Sequence, residues 1–276
     1  MPSRSATSKP SSWRVTTGDA VPTRVGIIGW GKIGARVAAN LGPDAELVAV
    51  LTRGRGPDIA TVSPSEFFGQ RPEIVLECAS PEALAEFGHQ IVARGIDLVP
   101  LSLCALLDDS VLERLRHAAR QPGSGKVFIA PGAIGTLDLV ASARESGLSR
   151  IVYRTAKPLR VWRANAAASL VDLDRIERET MILRGSVRDL SRHFPRNLNL
   201  SVGIALAGLG FERTEVELFA DPVGHVTRHE LEIWATPGHC RLFIDGTDPD
   251  PIEDCADYTA WSTLGPLRHR AASIRL

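Results

Sequence analysis

The chain lacks a charge surplus of either sign. Its 276 residues carry 32 Lys plus Arg against 32 Asp plus Glu, so no net field selects a nucleic acid or a membrane surface as partner. Long apolar runs are missing too: no stretch approaches the roughly 20 residues a membrane helix needs. No secretory signal pattern stands at the amino end. The first 22 residues, rich in Ser, Thr, Pro and Arg, read as a disordered tail rather than a transit peptide, because no apolar helical face is present. Cysteine is scarce, and Cys78, Cys104, Cys240 and Cys255 show no paired metal spacing. That argues against a metal site and suits reduced, structural thiols in a cytoplasmic protein. Repeats are absent, and so is low complexity beyond the tail. The remainder is long enough for one large domain or two modest ones.

What is present is a glycine pattern. Residues 24 to 34 read Arg-Val-Gly-Ile-Ile-Gly-Trp-Gly-Lys-Ile-Gly, a short buried strand followed by Gly29, Gly31 and Gly34 at G-x-G-x-x-G spacing. Ala35 to Leu41 continues with helical periodicity. Strand, glycine turn and helix in that order form the dinucleotide fingerprint, in which the glycines allow a tight turn, close approach of a pyrophosphate, and helix–strand packing. The phosphates then meet unpaired N–H groups at the positive end of a helix.

The second strand, Glu46 to Leu51, ends in Thr52-Arg53-Gly54-Arg55, where a site preferring NAD usually has an acid for the ribose 2′-hydroxyl. Two guanidiniums there suit a 2′-phosphate, so NADP is favoured and NAD remains open. Both arginines also fit a plain solvated loop.

The pattern continues with strand Glu73 to Ala79, a helix from Pro81 to about Arg94 stopped by Gly95, strand Asp97 to Ser102, helix Asp108 to Arg120 and strand Lys126 to Ala130. This alternation predicts an α/β fold with a Rossmann-type doubly wound parallel sheet. Thereafter strands crowd together at 151–155, 179–183, 214–219, 226–235 and 240–244, with helices at 186–194 and 198–209. A second, mixed α+β substrate domain follows from that density. A last helix from about Asp254 to His269 is expected to pack back on the first domain. The predicted boundaries are a tail at 1–22, a dinucleotide-binding domain at 23–135, a substrate and oligomerisation domain at 136–249, and a returning segment at 250–276.

Three places could carry chemistry. In the strand Val226 to Ala235, alternation puts His229 on a face with Leu231 and Ile233, while Glu230 and Glu232 point away. An imidazole there is either a general acid/base or a satisfied core histidine. Asn197 and Asn199 open the helix after Pro195, as carboxylate receptors or simple caps. Pro131-Gly-Ala-Ile-Gly135 is a glycine loop beyond a strand, lining a cleft or merely joining domains.

Together these segments resemble the L-aspartate dehydrogenase family from about Arg24 to His239. The resemblance rests on Gly29 to Gly34, Glu77-Cys-Ala-Ser80, Ser102-Leu-Cys-Ala-Leu106, Gly132-Ala-Ile-Gly-Thr-Leu-Asp138 and Lys157-Pro158. It continues through Glu179-Thr180, Gly185-Ser186, Pro195 to Asn199, Ala205 to Gly208 and Arg228-His229-Glu230. It implies a reversible, NAD(P)-linked conversion of L-aspartate to iminosuccinate or oxaloacetate plus ammonia, with His229 as the catalytic acid/base. It further implies a cofactor site at Gly29, Trp30, Gly31, Lys32, Ile33, Gly34, Thr52, Arg53, Arg55, Cys78, Ala79, Ser80 and Ala133, and a substrate site at Asn197, Asn199, Gly132 and Ile134. No metal is expected, the partners are an amino or oxo acid and ammonium, and a homodimer is usual for such architectures.

The chain also departs from the family pattern. Asp250-Pro-Ile-Glu-Asp-Cys255 stands where Asn-Pro-Lys-Thr-Ser is usual, Cys104 replaces a glycine, and Ala156 replaces an arginine. An acidic segment near a dicarboxylate would repel it. Two alternatives therefore stand beside the aspartate reading: an imine or oxo-acid reductase of the same scaffold, and a catalytically inactive NADP-binding regulatory protein.

Overall fold

A computed structural model of the protein describes residues 21–163, 171–194, 198–246 and 258–271. Residues 1–20 of the expected amino-terminal tail, Asn197 and the acidic segment Asp250 to Cys255 lie outside the described residues.

The first half alternates as its apolar runs demand. β1 (Thr23–Ile28) leads through the glycine turn into α1 (Lys32–Ala38), followed by β2 (Ala45–Leu51), the short β3 (Ala60–Thr61) and α2 (Pro64–Gly69). Next come β4 (Ile74–Glu77), α3 (Pro81–Ala93), β5 (Asp97–Pro100) and α4 (Asp109–Ala119). The strands form one parallel sheet in the order β3-β2-β1-β4-β5. Starts and stops follow local chemistry: Ser80 Oγ accepts the Ala83 N–H at 3.3 Å to open α3, and Gly95, at φ 77°, supplies the left-handed residue that ends it.

The strand expected at Lys126 to Ala130 is reduced to a single parallel bridge, Leu98 to Val127. Leu98 N–H donates to Lys126 O and Phe128 N–H to Leu98 O, both at 2.8 Å. The next rung would need an N–H from Pro100, which has none, so the ladder stops.

The second half contributes α5 (Leu137–Glu145), β6 (Leu148–Pro158), α6 (Leu159–Arg163), β7 (Thr180–Ser186), α7 (Val187–Ser191), α8 (Asn199–Ala207), β8 (Glu215–Asp221), β9 (Arg228–Ala235) and β10 (Gly238–Asp245). Its sheet runs β10-β9-β6-β8-β7, with β6 parallel to β8 and the other neighbours antiparallel. One face packs on the helices. The other carries ion pairs, in which Arg154 reaches Glu230 and Glu232 at 2.9 Å each and also holds Glu217. A single apolar core runs from Val75 and Leu98 through Val140 and Ile204 to Ile151 and Val216, tying the two sheets together.

The last helix returns as expected but in two pieces, α9 (Tyr258–Ser262) and α10 (Leu264–Ala271). Pro266 explains the break, since its ring opposes the carbonyl of Ser262 four residues back. Ala260, Leu264 and Leu267 join Val25, Ile27 and Ile74 in a second cluster under the first sheet. Arg270 pairs with Asp97 and lies 3.7 Å from Glu73.

Candidate active site

The glycine turn has the shape a pyrophosphate requires. Gly29 sits at φ 93°, and a Cβ there would fall 2.6 Å from Ala79 Cα. A Cβ on Gly34 would fall 2.3 Å from Gly29 O, so only glycine lets helix and turn close together. Gly31 faces open space, with nothing within 4 Å of its would-be Cβ. No side chain caps α1 and no acid stands in its first turn, which leaves that end receptive to an anion. These residues fit a dinucleotide.

Glu77 underlies the cradle. Its fully buried carboxylate accepts from Ala79 N–H at 2.8 Å, Ser80 N–H at 3.0 Å and Ser102 N–H at 3.0 Å, and from Ser102 O–H at 2.9 Å. Burial pushes this carboxyl above the usual range while the four donors pull it back. The loop from Cys78 to Ser80 is thereby held against Gly29. Cys78 donates its N–H to Ile28 O at 2.8 Å, and burial drives its thiol far up, so it is an unreactive wall. Trp30 packs on the second cluster, Lys32 is exposed at the mouth, and Ile33 lines the cleft beyond. At the far end Thr52 Oγ1 accepts from Gly54 N–H at 3.2 Å, turning the exposed Arg53 and Arg55 past β2. Neither arginine forms an ion pair among the described residues.

A cleft of about 350 Å³ opens next to the cradle, bounded by Ile33, Leu101, Ala133, Leu198 and Thr259 among others. β6 presents Tyr153, Thr155 and Lys157 to it at period-2 spacing, and β9 presents His229, which pairs with Thr155 across the ladder. The expected alternation is present: Leu231 and Ile233 are buried in the core, while Glu230 and Glu232 turn to Arg154 on the opposite face. Tyr153 hydroxyl and His229 Nδ1 are 2.7 Å apart. Lys157 Nζ lies 5.3 Å from the centre of the Trp162 ring and has no ion pair among the described residues. Burial holds its ammonium below the usual lysine range.

The candidate substrate residues divide. Asn199 lines the cleft, but its Oδ1 accepts from Cys104 N–H at 3.0 Å, which leaves Nδ2 as its donor. The capping position of α8 falls on Leu198, and Asn199 stands in its first turn as the sequence suggested. Gly132 and Ala133 line the cleft from a single helical turn, Gly132–Ile134, whose Gly132 N–H donates to Ser262 Oγ at 3.2 Å. The structure does not bring Ile134 to the cleft: its side chain is 1% exposed, in the core. Cys104 is buried too, its thiol pushed up to about 11.

Tyr153, Thr155 and Lys157 were not singled out as site residues by the sequence. A signal existed, because they alternate with Arg154 and Ala156, but nothing in the order of residues said which face would meet His229. Among the described residues no cluster of His, Cys, Asp and Glu could hold a metal ion, and no helix is long and apolar enough to cross a membrane.

Comparison with known proteins decides the family. A curated L-aspartate dehydrogenase of Serratia proteamaculans is 33% identical over 262 residues, covering 92% of this chain and 97% of its own. The chain belongs to the aspartate dehydrogenase family. The family described as "Aspartate dehydrogenase, C-terminal" matches residues 138–270 of this chain, and the one described as "Homoserine dehydrogenase, NAD binding domain" matches residues 29–128. The aspartate dehydrogenase of Thermotoga maritima superposes with a TM-score of 0.74 at 28% identity, over 92% of this chain and 99% of that one. An amine dehydrogenase of Mycobacterium smegmatis shares the fold, with a TM-score of 0.55 at 13% identity, over 91% of this chain and 93% of its own. Membership in the aspartate dehydrogenase family carries a nicotinamide-binding domain with it, which agrees with the glycine cradle.

Proposed function

We propose that this protein is an NAD(P)-dependent L-aspartate dehydrogenase, interconverting L-aspartate with iminosuccinate, or oxaloacetate plus ammonia. The observation that carries the reading is one cleft, adjoining a dinucleotide cradle, that holds both an imidazole, His229, and an ammonium with no ion pair among the described residues, Lys157. The bound nicotinamide would supply hydride exchange at the amino-bearing carbon. The chain supplies the rest. His229 takes the proton of the substrate ammonium so that the nitrogen lone pair can assist departure of hydride; after returning that proton to the imine nitrogen, the neutral imidazole can activate the water that attacks the imine carbon. Lys157 and Asn199 Nδ2 hold carboxylate, and the apolar walls of Leu101, Leu198 and Trp162 limit bulk water. The test is nicotinamide absorbance with oxaloacetate and either reduced cofactor. Consumption that depends on ammonium and yields aspartate is expected; consumption without ammonium would point to an oxo-acid reductase.

The role of Lys157 makes a prediction. Replacing it by methionine should raise KM for aspartate about tenfold or more, because a charged hydrogen bond contributes roughly 1.5–3 kcal/mol, with a smaller effect on kcat. Its lowered pKa also sets the direction with pH. Carboxylate binds the protonated form, so KM should climb as pH rises through that lowered pKa, below the usual lysine value, and the climb should vanish in the methionine variant. A KM independent of this residue would remove it from the substrate site.

NADP is the preferred cofactor in this reading, through Arg53 and Arg55. Changing both to serine should weaken NADPH by about tenfold or more and NADH little. Equal losses, measured by cofactor titration, would end the 2′-phosphate assignment. The division of labour is nucleotide binding by residues 23–135, substrate binding by 136–249 and a returning segment at 250–276. A cytoplasmic homodimer completes the proposal.

A further inference from the structure

The cleft holds one lysine, while the substrate of the dehydrogenase reading carries two carboxylates. No Asp or Glu is among the described residues that line it, so an anion meets no like charge there. Lys157, on β6, serves one carboxylate. A different element faces the same space: the first turn of α8, where Leu198, Asn199, Leu200 and Ser201 line the cleft in succession.

That turn is open at its end. The first hydrogen bond of α8 runs from Val202 N–H to Leu198 O at 2.9 Å, so the N–H groups of Asn199, Leu200 and Ser201 precede it and have no acceptor within the helix. The capping position falls on Leu198, no side chain caps the helix, and no acid stands in its first turn. Asn199 does not close the turn either, because its Oδ1 is held by Cys104 N–H at 3.0 Å. Ser201 is a second and independent sign. It is 1% exposed, it lines the cleft, and its hydroxyl completes no hydrogen bond among the described residues while keeping Oγ open to that space. A hydroxyl so enclosed costs free energy unless the occupant of the cleft pairs with it. The hydroxyl and the N–H groups beside it all want an acceptor, and the positive end of a helix favours one with negative charge.

We propose that the first turn of α8 is the receptor for the second carboxylate of a dicarboxylate substrate, with the Ser201 hydroxyl and the unpaired N–H groups as its donors. This deepens the dehydrogenase reading and rests on it. Lys157 draws one carboxylate to the sheet and α8 draws the other to the helix, so a four-carbon diacid is held at both ends in the cleft that contains His229. An amino acid with a single carboxylate leaves one receptor empty and its donors unpaired. Preference for the diacid follows from that loss, with no second lysine or arginine among the described lining residues.

The probe is succinate, a diacid of the same length without the amino group, set against propionate, which lacks one carboxylate. Both are titrated by calorimetry into the full chain loaded with oxidised nicotinamide cofactor. The native protein should bind succinate about tenfold or more tighter than propionate. Ser201→Ala nearly keeps the size and suits a helix better, so folding is preserved. It should weaken succinate by about tenfold, as loss of a hydrogen bond to a charged group does, and propionate little. In steady state KM for aspartate should rise by a similar factor with kcat little changed. Added to Lys157→Met, Ser201→Ala should cost its full factor again, because the two residues hold different carboxylates. Four results would each overturn the receptor: succinate binding no tighter than propionate, succinate affinity unchanged in Ser201→Ala, equal losses for both acids, or no further loss in the double variant. If the native protein does not turn over aspartate, the dehydrogenase reading fails, and the succinate titration still decides the receptor.

Discussion

His229→Ala is expected to lower kcat for aspartate by about two orders of magnitude or more, the usual worth of a positioned general acid or base. The reason is geometric. His229 is the imidazole of the cleft beside the glycine cradle, and its orientation is set by Tyr153 at 2.7 Å. Removing the ring leaves the ammonium proton to bulk water, which the apolar walls keep scarce. Cofactor affinity should stay within about twofold, because His229 lies outside the cradle of Gly29, Gly31 and Gly34. The truncation also strands the Tyr153 hydroxyl, a cost of about 1–3 kcal/mol in stability. His229→Asn, which retains polarity without basicity, should therefore fold better and be just as slow. Steady-state kinetics beside a cofactor titration separates these effects. A kcat near the native value, from folded His229→Ala, would return His229 to the status of a core histidine.

The largest stability effect should come from Glu77. Three backbone N–H groups and one hydroxyl converge on this carboxylate, which is 0% exposed. Glu77→Ala leaves all four donors unpaired and opens a void, and a loss of about 3–5 kcal/mol is expected from such a break. Cofactor affinity should fall with it, because the loop from Cys78 to Ser80 is what Gly29 packs against. Glu77→Gln keeps the shape but turns an NH2 toward donors, so an intermediate loss of about 1–3 kcal/mol should result. Urea midpoints at constant m-value give these numbers directly. A Glu77→Ala protein within about 1 kcal/mol of native would mean that water replaces the carboxylate without penalty.

Much of the architecture is legible in the order of residues. The glycine spacing, the short apolar runs and their capping residues are local features, governed by backbone sterics and by the 2.0 and 3.6 residue periods. They sufficed for the parallel sheet, the strand-rich second half, the returning helix and the face on which His229 lies. Local reading failed where a proline acted on a neighbour: Pro100 denied a rung to the stretch after Lys126, and Pro266 split the final helix. The side chain of Ile134, at the end of the turn Gly132–Ile134, goes to the core, a placement that depends on packing from distant residues.

The cleft itself is a tertiary product. Tyr153 meets His229 across 76 residues of chain and Asn199 meets Cys104 across 95, so no window along the sequence contains either pair. By itself the sequence determined the strand, glycine turn and helix of the cradle, because the spacing of Gly29, Gly31 and Gly34 is local to one turn. Only the folded sheet decided that Tyr153, Thr155 and Lys157 face the histidine, since strand register and sheet order, not residue order, choose which side chains share a cavity.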